Sequence, residues 1–113
     1  MISDQPAKVT IVVAPRERFS VAVRSLESIV EHTTAPYELL YIDGNSPRPV
    51  RKQIERISGR HGFRIIRTDH YLPPNHARNL AIPHIGTPYT VFIDNDVVVT
   101  PGWLERLIDC AES

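Results

Sequence analysis

The 113 residues suffice for one domain with a single core and leave no room for a separate substrate domain. Thirteen basic and thirteen acidic side chains give a formal net charge of zero, so the chain lacks the electrostatic footprint of sequence-independent nucleic-acid binding, and any anion must be held locally. No apolar run approaches the roughly 20 residues of a membrane helix, and Met1-Ile2-Ser3-Asp4 lacks the basic and apolar regions of a signal peptide. The single cysteine, Cys110, cannot close a disulfide within the chain and suits a small core position on a helix. A cytoplasmic domain without a transmembrane segment is expected.

Residues 1–7 are polar and read as a loose tail before a domain spanning 8–113. Lys8 to Ala14 is β-branched and nearly continuous, which predicts a buried first strand stopped by Pro15. Ser20 is a candidate N-cap, and Ala22, Leu26, Ile29 and Val30 recur at helical spacing up to about Thr33. Tyr37 to Asp43 forms a second strand, closed by the turn residues Gly44-Asn45-Ser46-Pro47. Val50, Ile54 and Ile57 mark a second helix with Gly59 as its left-handed cap. A third strand covers Phe63 to Arg67, and a short third helix covers Asn75 to Ile82, between Pro74 and Pro83. Tyr89 to Asp94 is a fourth strand, extended through Val97-Val98-Val99. Thr100-Pro101 then caps a fourth helix with Leu104, Leu107, Ile108 and Ala111 on its apolar face. The βαβαβαβα alternation predicts an α/β fold: a Rossmann-like parallel sheet of about four strands with flanking helices.

In such a sheet, ligands bind beyond the carboxyl ends of the strands, where strand order reverses. The first strand runs into Ala14-Pro15-Arg16-Glu17, the second into Asp43, and the fourth into Asp94-Asn95-Asp96. If the extended conformation persists, alternation puts Asp94 and Asp96 on one side and Asn95 on the other. Two facing carboxylates repel unless a cation or proton lies between them, and a hard divalent ion accepts their oxygens while keeping positions for phosphate. The plain alternative is a pair of solvated acids. Asp43 could accept a hydrogen bond from a ribose hydroxyl or a base N–H, or could equally bond its own turn. Arg78, on the third helix, could reach a phosphate. The sequence lacks zinc-ligand spacing among its five histidines, a Gly-x-Gly-x-x-Gly loop, a Walker-type lysine loop and a nucleophile elbow.

With these residues placed, the chain resembles the N-terminal, nucleotide-sugar-binding portion of glycosyltransferase family 2, inverting enzymes of the GT-A fold. The resemblance rests on Val9 to Pro15, on Glu38-Leu39-Leu40-Tyr41-Ile42-Asp43-Gly44-Asn45-Ser46, on Ala77-Arg78-Asn79-Leu80-Ala81-Ile82, and on Phe92-Ile93-Asp94-Asn95-Asp96 leading to Pro101-Gly102-Trp103-Leu104. It implies that Pro15 with its neighbours Ala14, Arg16 and Glu17, together with Asp43, cradles the nucleoside of a UDP- or dTDP-sugar. It also implies that the Asp94-Asn95-Asp96 motif contacts the ribose and a Mg²⁺ or Mn²⁺ bridging the diphosphate, with Asp94 and Asp96 as metal ligands, Asp96 foremost, and that Arg78 lies near the same nucleotide-sugar site. Ala14-Pro15-Arg16-Glu17 departs from the family's Pro-Thr-Tyr-Asn type of loop, and the glycine customary before the Ala-Arg-Asn segment is missing.

The resemblance further implies the front half of a larger glycosyltransferase domain, whose acceptor half and catalytic base follow this stretch. The acceptor and the catalytic residue are not assigned. A non-catalytic nucleotide-binding or interaction module of the same fold is the alternative; a sugar-phosphate nucleotidyltransferase should show a glycine-rich basic loop after the first strand. Self-association through the fourth-strand region is expected if that edge is left uncovered.

Overall fold

The computed structural model describes residues 6–15 and 19–112. Most of the expected tail, together with Arg16, Glu17 and Arg18, lies outside the described residues. Four strands, β1 (Val9–Ala14), β2 (Tyr37–Gly44), β3 (Arg64–Thr68) and β4 (Tyr89–Asp94), form one sheet in the order β3-β2-β1-β4. Every pairing is parallel, as the alternation of elements predicts. The chain builds outward from β1 to β3 and then crosses back to lay β4 on the other side of β1. The strand order therefore reverses between β1 and β4.

Helices α1 (Ala22–His32), α2 (Arg48–His61), α3 (Pro74–Ala81) and α4 (Trp103–Glu112) cover the two faces unequally. Odd-numbered strand residues, including Val9, Ile11, Val13, Leu39, Tyr41 and Ile93, pack with Ala22, Leu26 and Ile29 of α1, Ile54 of α2, and Trp103 and Leu104 of α4. Even-numbered Val12, Ala14, Leu40 and Ile42 pack with Leu72 and with Ala77 and Ala81 of α3. All six residues of β1 are buried, the signature of a central strand covered on both faces.

Several local expectations are corrected. Ser20 does not cap α1: it lies in a 3-10 turn, Phe19–Val21, that leads into the helix, and Val21 holds the cap position without a side-chain bond. Gly59 is inside α2, and the left-handed cap is Gly62 (φ 73°). Its N–H, together with that of Phe63, is donated to the Ser58 carbonyl. Pro101 is not in the first turn of α4. Thr100 to Trp103 forms a turn closed by the Trp103 N–H on the Thr100 carbonyl at 3.2 Å, and Gly102 (φ 77°) has a backbone that cannot continue a right-handed helix, so α4 starts at Trp103. Cys110 is exposed, on the outer side of α4 rather than in the core.

The outer surface of β4 and α4 is apolar. Phe92, Val97, Val98 and Leu107 are all exposed, and a hollow between Val9, Tyr89, Val91, Leu107 and Ile108 runs along this edge. No helix among the described residues is long and apolar enough to cross a membrane.

Candidate functional site

At the carboxyl end of the sheet, Ala14 of β1 and Asp94 of β4 stand at the same register. The Asn95 N–H extends the pairing by one step, donating to the Ala14 carbonyl at 2.9 Å. Ala14, Arg78, Phe92, Ile93, Asp94 and Val97 line a cleft of about 250 Å³ at this switch point. By strand alternation Asp94 shares the face of Phe92, and the Arg78 guanidinium, reaching over from α3, sits 5.2 Å from the Phe92 ring centre. The cleft therefore joins an acid at a strand tip to a cation on the facing helix.

The strand does not continue through the acidic triplet. The Val97 N–H donates to the Asp94 carbonyl at 3.1 Å, closing a turn over Asn95 and Asp96, so alternation no longer governs Asp96. The expected division of the triplet survives for another reason. Asn95 is 1% exposed and lies against the Tyr41 hydroxyl, whereas Asp94 and Asp96 are half-buried at the surface of the turn.

Asp43 occupies a different environment. It shares the face of Leu39 and Tyr41, opposite to that of Asp94, and its side chain has no exposed surface. Oδ1 accepts the Ser46 N–H at 2.8 Å and Oδ2 accepts the Arg67 Nε–H at 3.1 Å; Arg67 also reaches Glu55 of α2 at 3.0 Å. The Asp43 carboxylate is thus engaged by its own turn and by Arg67 rather than exposed beside Asp94 and Asp96. The two strands flank β1 at a lateral separation of about 10 Å, and the carboxylate points behind the sheet to close its own turn. Burial pushes the Tyr41 phenol well above its ordinary pKa, with the Asp43 charge adding to that and the Asn95 amide opposing it.

Pro15 lies beside the tip of β2. A Cβ placed on Gly44 would meet the Pro15 Cβ at 3.0 Å and the Leu72 backbone nitrogen at 3.3 Å, so a glycine is needed for the ends of β1 and β2 to close up. The next residue, Asn45, takes the left-handed conformation (φ 71°) that turns the chain toward α2.

Two residues absent from the sequence reading hold the acidic turn from behind. The Ser25 hydroxyl of α1 donates to the Val97 carbonyl, and Ser28 Oγ accepts the Val99 N–H at 3.0 Å while donating to the Ser25 carbonyl at 2.6 Å. Both serines are buried. Their signal was available: with Ala22, Leu26 and Ile29 they fall on the inward stripe of α1, where a hydroxyl needs a partner. Further along, the Trp103 indole N–H donates to Thr33 Oγ1 at 2.9 Å, and Glu105 accepts from the Thr34 hydroxyl at 2.8 Å and from the Ala35 N–H at 3.2 Å. The segment from Val97 to Glu105 is thus fastened to α1 and to the loop that follows it.

For a metal, the fit can be judged from the donors. Among the described residues no group of three His, Cys, Asp or Glu side chains could hold an ion by itself. Two half-buried carboxylates on one turn instead suit a hard divalent ion that keeps most positions for phosphate oxygens and water. A larger hollow, about 310 Å³, lies at the opposite end of the sheet among Tyr37, His61, Phe63, Arg64 and His84, away from this turn.

A sequence model described as "Glycosyl transferase family 2" matches residues 10–113. Among solved structures, a Pyrobaculum calidifontis mannosyltransferase, PcManGT, in complex with GDP-Man and Mn²⁺, superposes with a TM-score of 0.76 at 19% identity, over 93% of this chain and 32% of that one. TarS from S. aureus (residues 1–349) gives a TM-score of 0.75 at 16% identity, again over 93% of this chain and 32% of its own. At these identities the likeness carries the fold, and the chain spans about a third of the length of each. A search of curated proteins finds no match.

Proposed function

The chain belongs to glycosyl transferase family 2, and from that premise we propose that it is the donor-binding portion of an inverting glycosyltransferase, holding a nucleotide-diphospho-sugar at the β1–β4 switch point. The observation that carries this reading is the cleft in which Asp94, paired to Ala14, faces Arg78 across Phe92. A guanidinium held there meets the charge of a diphosphate, and strand-tip acids accept hydrogen bonds from ribose hydroxyls. Ala14 and Pro15 form the wall beside the nucleoside. Arg16 and Glu17, which follow them in the sequence, lie outside the described residues. Asp43 takes an indirect part, fixing the β2 turn against which Pro15 packs.

Asp96, with Asp94, would hold a Mg²⁺ or Mn²⁺; when bound, that ion offsets the charge that builds on the departing diphosphate. Transfer with inversion needs an acceptor hydroxyl in line with the anomeric carbon and a base within hydrogen-bond reach of its proton. None of the residues around the cleft is given that role, so the isolated chain is expected to bind donor without transferring sugar. The Mn²⁺ and GDP-Man of the Pyrobaculum relative support both a divalent ion and a nucleotide-sugar here, and add GDP to the UDP and dTDP suggested by family likeness.

Titration calorimetry of UDP, dTDP and GDP, with and without Mn²⁺, tests the reading. Binding that Mn²⁺ strengthens, with that gain lost in Asp96→Asn, is the expected result. Metal-independent binding that survives the substitution would favour a non-catalytic module, and absence of binding by all three would overturn the donor site.

A further inference from the structure

The acidic turn is held by helix α1 as firmly as by its own strand. On the strand side, Asn95 N–H bonds the Ala14 carbonyl, and Val97 N–H bonds the Asp94 carbonyl. On the helix side, Ser25 holds the Val97 carbonyl and Ser28 holds the Val99 N–H, one turn apart on one buried face. Ser28 also donates to the Ser25 carbonyl, so its hydroxyl proton is committed and its oxygen is left to accept from Val99. Inward-facing serines in a helix core are otherwise costly, since each hydroxyl needs a partner once water is gone. Here both partners belong to the three residues that follow Asp96.

We infer that Ser25 and Ser28 are positioning residues for the Asp94–Asp96 turn, setting the backbone from which the carboxylates address a divalent cation before that cation arrives. The inference rests on the donor-site reading for the identity of the ligand, but the clamp itself does not. A carboxylate on an unfixed turn would have to be ordered as the ion bound, lowering affinity by the cost of ordering. Supporting groups that orient metal ligands typically change affinity by about 10- to 100-fold when removed. Because both serines are buried with their hydroxyls committed to backbone groups, they are expected to contribute nothing to nucleotide binding without metal.

The test uses the full chain with Ser25→Ala, Ser28→Ala and the double variant. Ser58→Ala serves as a control that removes a comparably buried hydroxyl on α2. Two measurements are made. Amide hydrogen exchange at Val99 needs no ligand, and Ser28→Ala is expected to accelerate it about tenfold relative to the Ser58→Ala control. Mn²⁺ affinity in the presence of saturating nucleotide, read by electron paramagnetic resonance of free Mn²⁺, is expected to fall about tenfold in each single variant. Metal-free nucleotide affinity and the Ser58→Ala protein are expected to match wild type.

Unchanged Val99 exchange in Ser28→Ala would overturn the clamp. Accelerated exchange with wild-type Mn²⁺ affinity would overturn the positioning role, and so would an equal loss of metal-free and metal-dependent binding, which marks general destabilisation. If wild type binds no Mn²⁺ with nucleotide, the donor-site reading fails and the positioning role falls with it, while the exchange result still decides the clamp.

Discussion

The Asp43 carboxylate and the Arg67 guanidinium, side by side at paired positions of β2 and β3, meet at 3.1 Å with the acid wholly buried and the arginine about one-third exposed. Removing the arginine leaves a buried acid with the Ser46 N–H as its remaining hydrogen-bond donor among the described residues. A charge-assisted bond to a buried group is worth roughly 1.5 to 3 kcal/mol, and the partial exposure of Arg67 puts the expected loss near the lower figure. Arg67→Leu should therefore destabilise the fold by about 2 kcal/mol in urea denaturation. Loss of Glu55, the exposed partner of the same arginine, should cost well under 1 kcal/mol. Equal effects from the two would contradict this account.

In the proposed donor site Arg78 meets phosphate and not the nucleoside. Arg78→Ala is expected to weaken Mn²⁺-supported binding of UDP about tenfold, the worth of one charge-assisted hydrogen bond, and to leave uridine binding unaltered. Phe92→Leu, which removes the ring beneath the guanidinium, should produce a smaller loss in the same direction. A matching loss for uridine in either variant would move the arginine out of the proposed role.

Gly44 sits where Pro15 and the Leu72 backbone converge. Gly44→Ala forces Pro15 away from the tip of β2 or strains both chains, an overpacking cost of about 1 to 3 kcal/mol. Because Pro15 forms part of the proposed nucleoside wall, weaker nucleotide binding should accompany the lower melting temperature. Improved stability on substitution would show that the closure is looser than these distances indicate.

Glu105 gives the fold a pH dependence with a definite sign. Its carboxyl is held below the ordinary value of 4.5, first by its own backbone N–H in the opening turn of α4 and next by the Thr34 hydroxyl, against a small opposing effect of burial. A carboxyl lowered by folding contributes stability that is fully present above its unfolded value and is lost as pH falls through the folded one. Melting temperatures measured between about pH 6 and pH 3 should fall less steeply in Glu105→Gln than in wild type. Parallel curves would remove Glu105 from the acid response.

Among the described residues β4 is an edge strand of the sheet, and its outer side runs beside exposed Phe92, Val97, Val98 and Leu107. Such edges recruit other strands. Sedimentation at high concentration is expected to reveal dimers or larger species, and Val98→Lys should reduce them. A strictly monomeric wild-type profile would count against the proposal.

Much of this architecture could be read from residues in a row. The β-branched run of β1, the alternating apolar positions of the helices and the order of elements led to a four-strand parallel sheet, because each reflects a periodicity within a few neighbours. The switch point, with Ala14 beside Asp94, depends on the spatial order β3-β2-β1-β4, which the order of elements along the chain does not give. Asp43 was harder. Whether a strand-end acid faces a ligand or closes a turn depends on Arg67, a neighbour only once β2 and β3 are paired, and no local pattern announces such a partner. The cap of α2 moved from Gly59 to Gly62 because both glycines end plausible helical turns, and the tertiary fit of Phe63 beside Tyr37 accompanies the longer one. Ser25 and Ser28 carried a visible signal, polarity on an inward stripe, but its meaning required knowing that Val97 and Val99 lie opposite.

The placement of β1 has a consequence for how the chain is made. Its residues form the hub of the sheet, yet one of their two hydrogen-bonding neighbours, β4, comes most of the chain's length later. During synthesis β1 would wait with one flank open until α1, β2, α2, β3 and α3 had been made and β4 followed. Folding of this sheet thus waits on β4, and a stalled product lacking Tyr89 to Asp94 would be a natural target for chaperones.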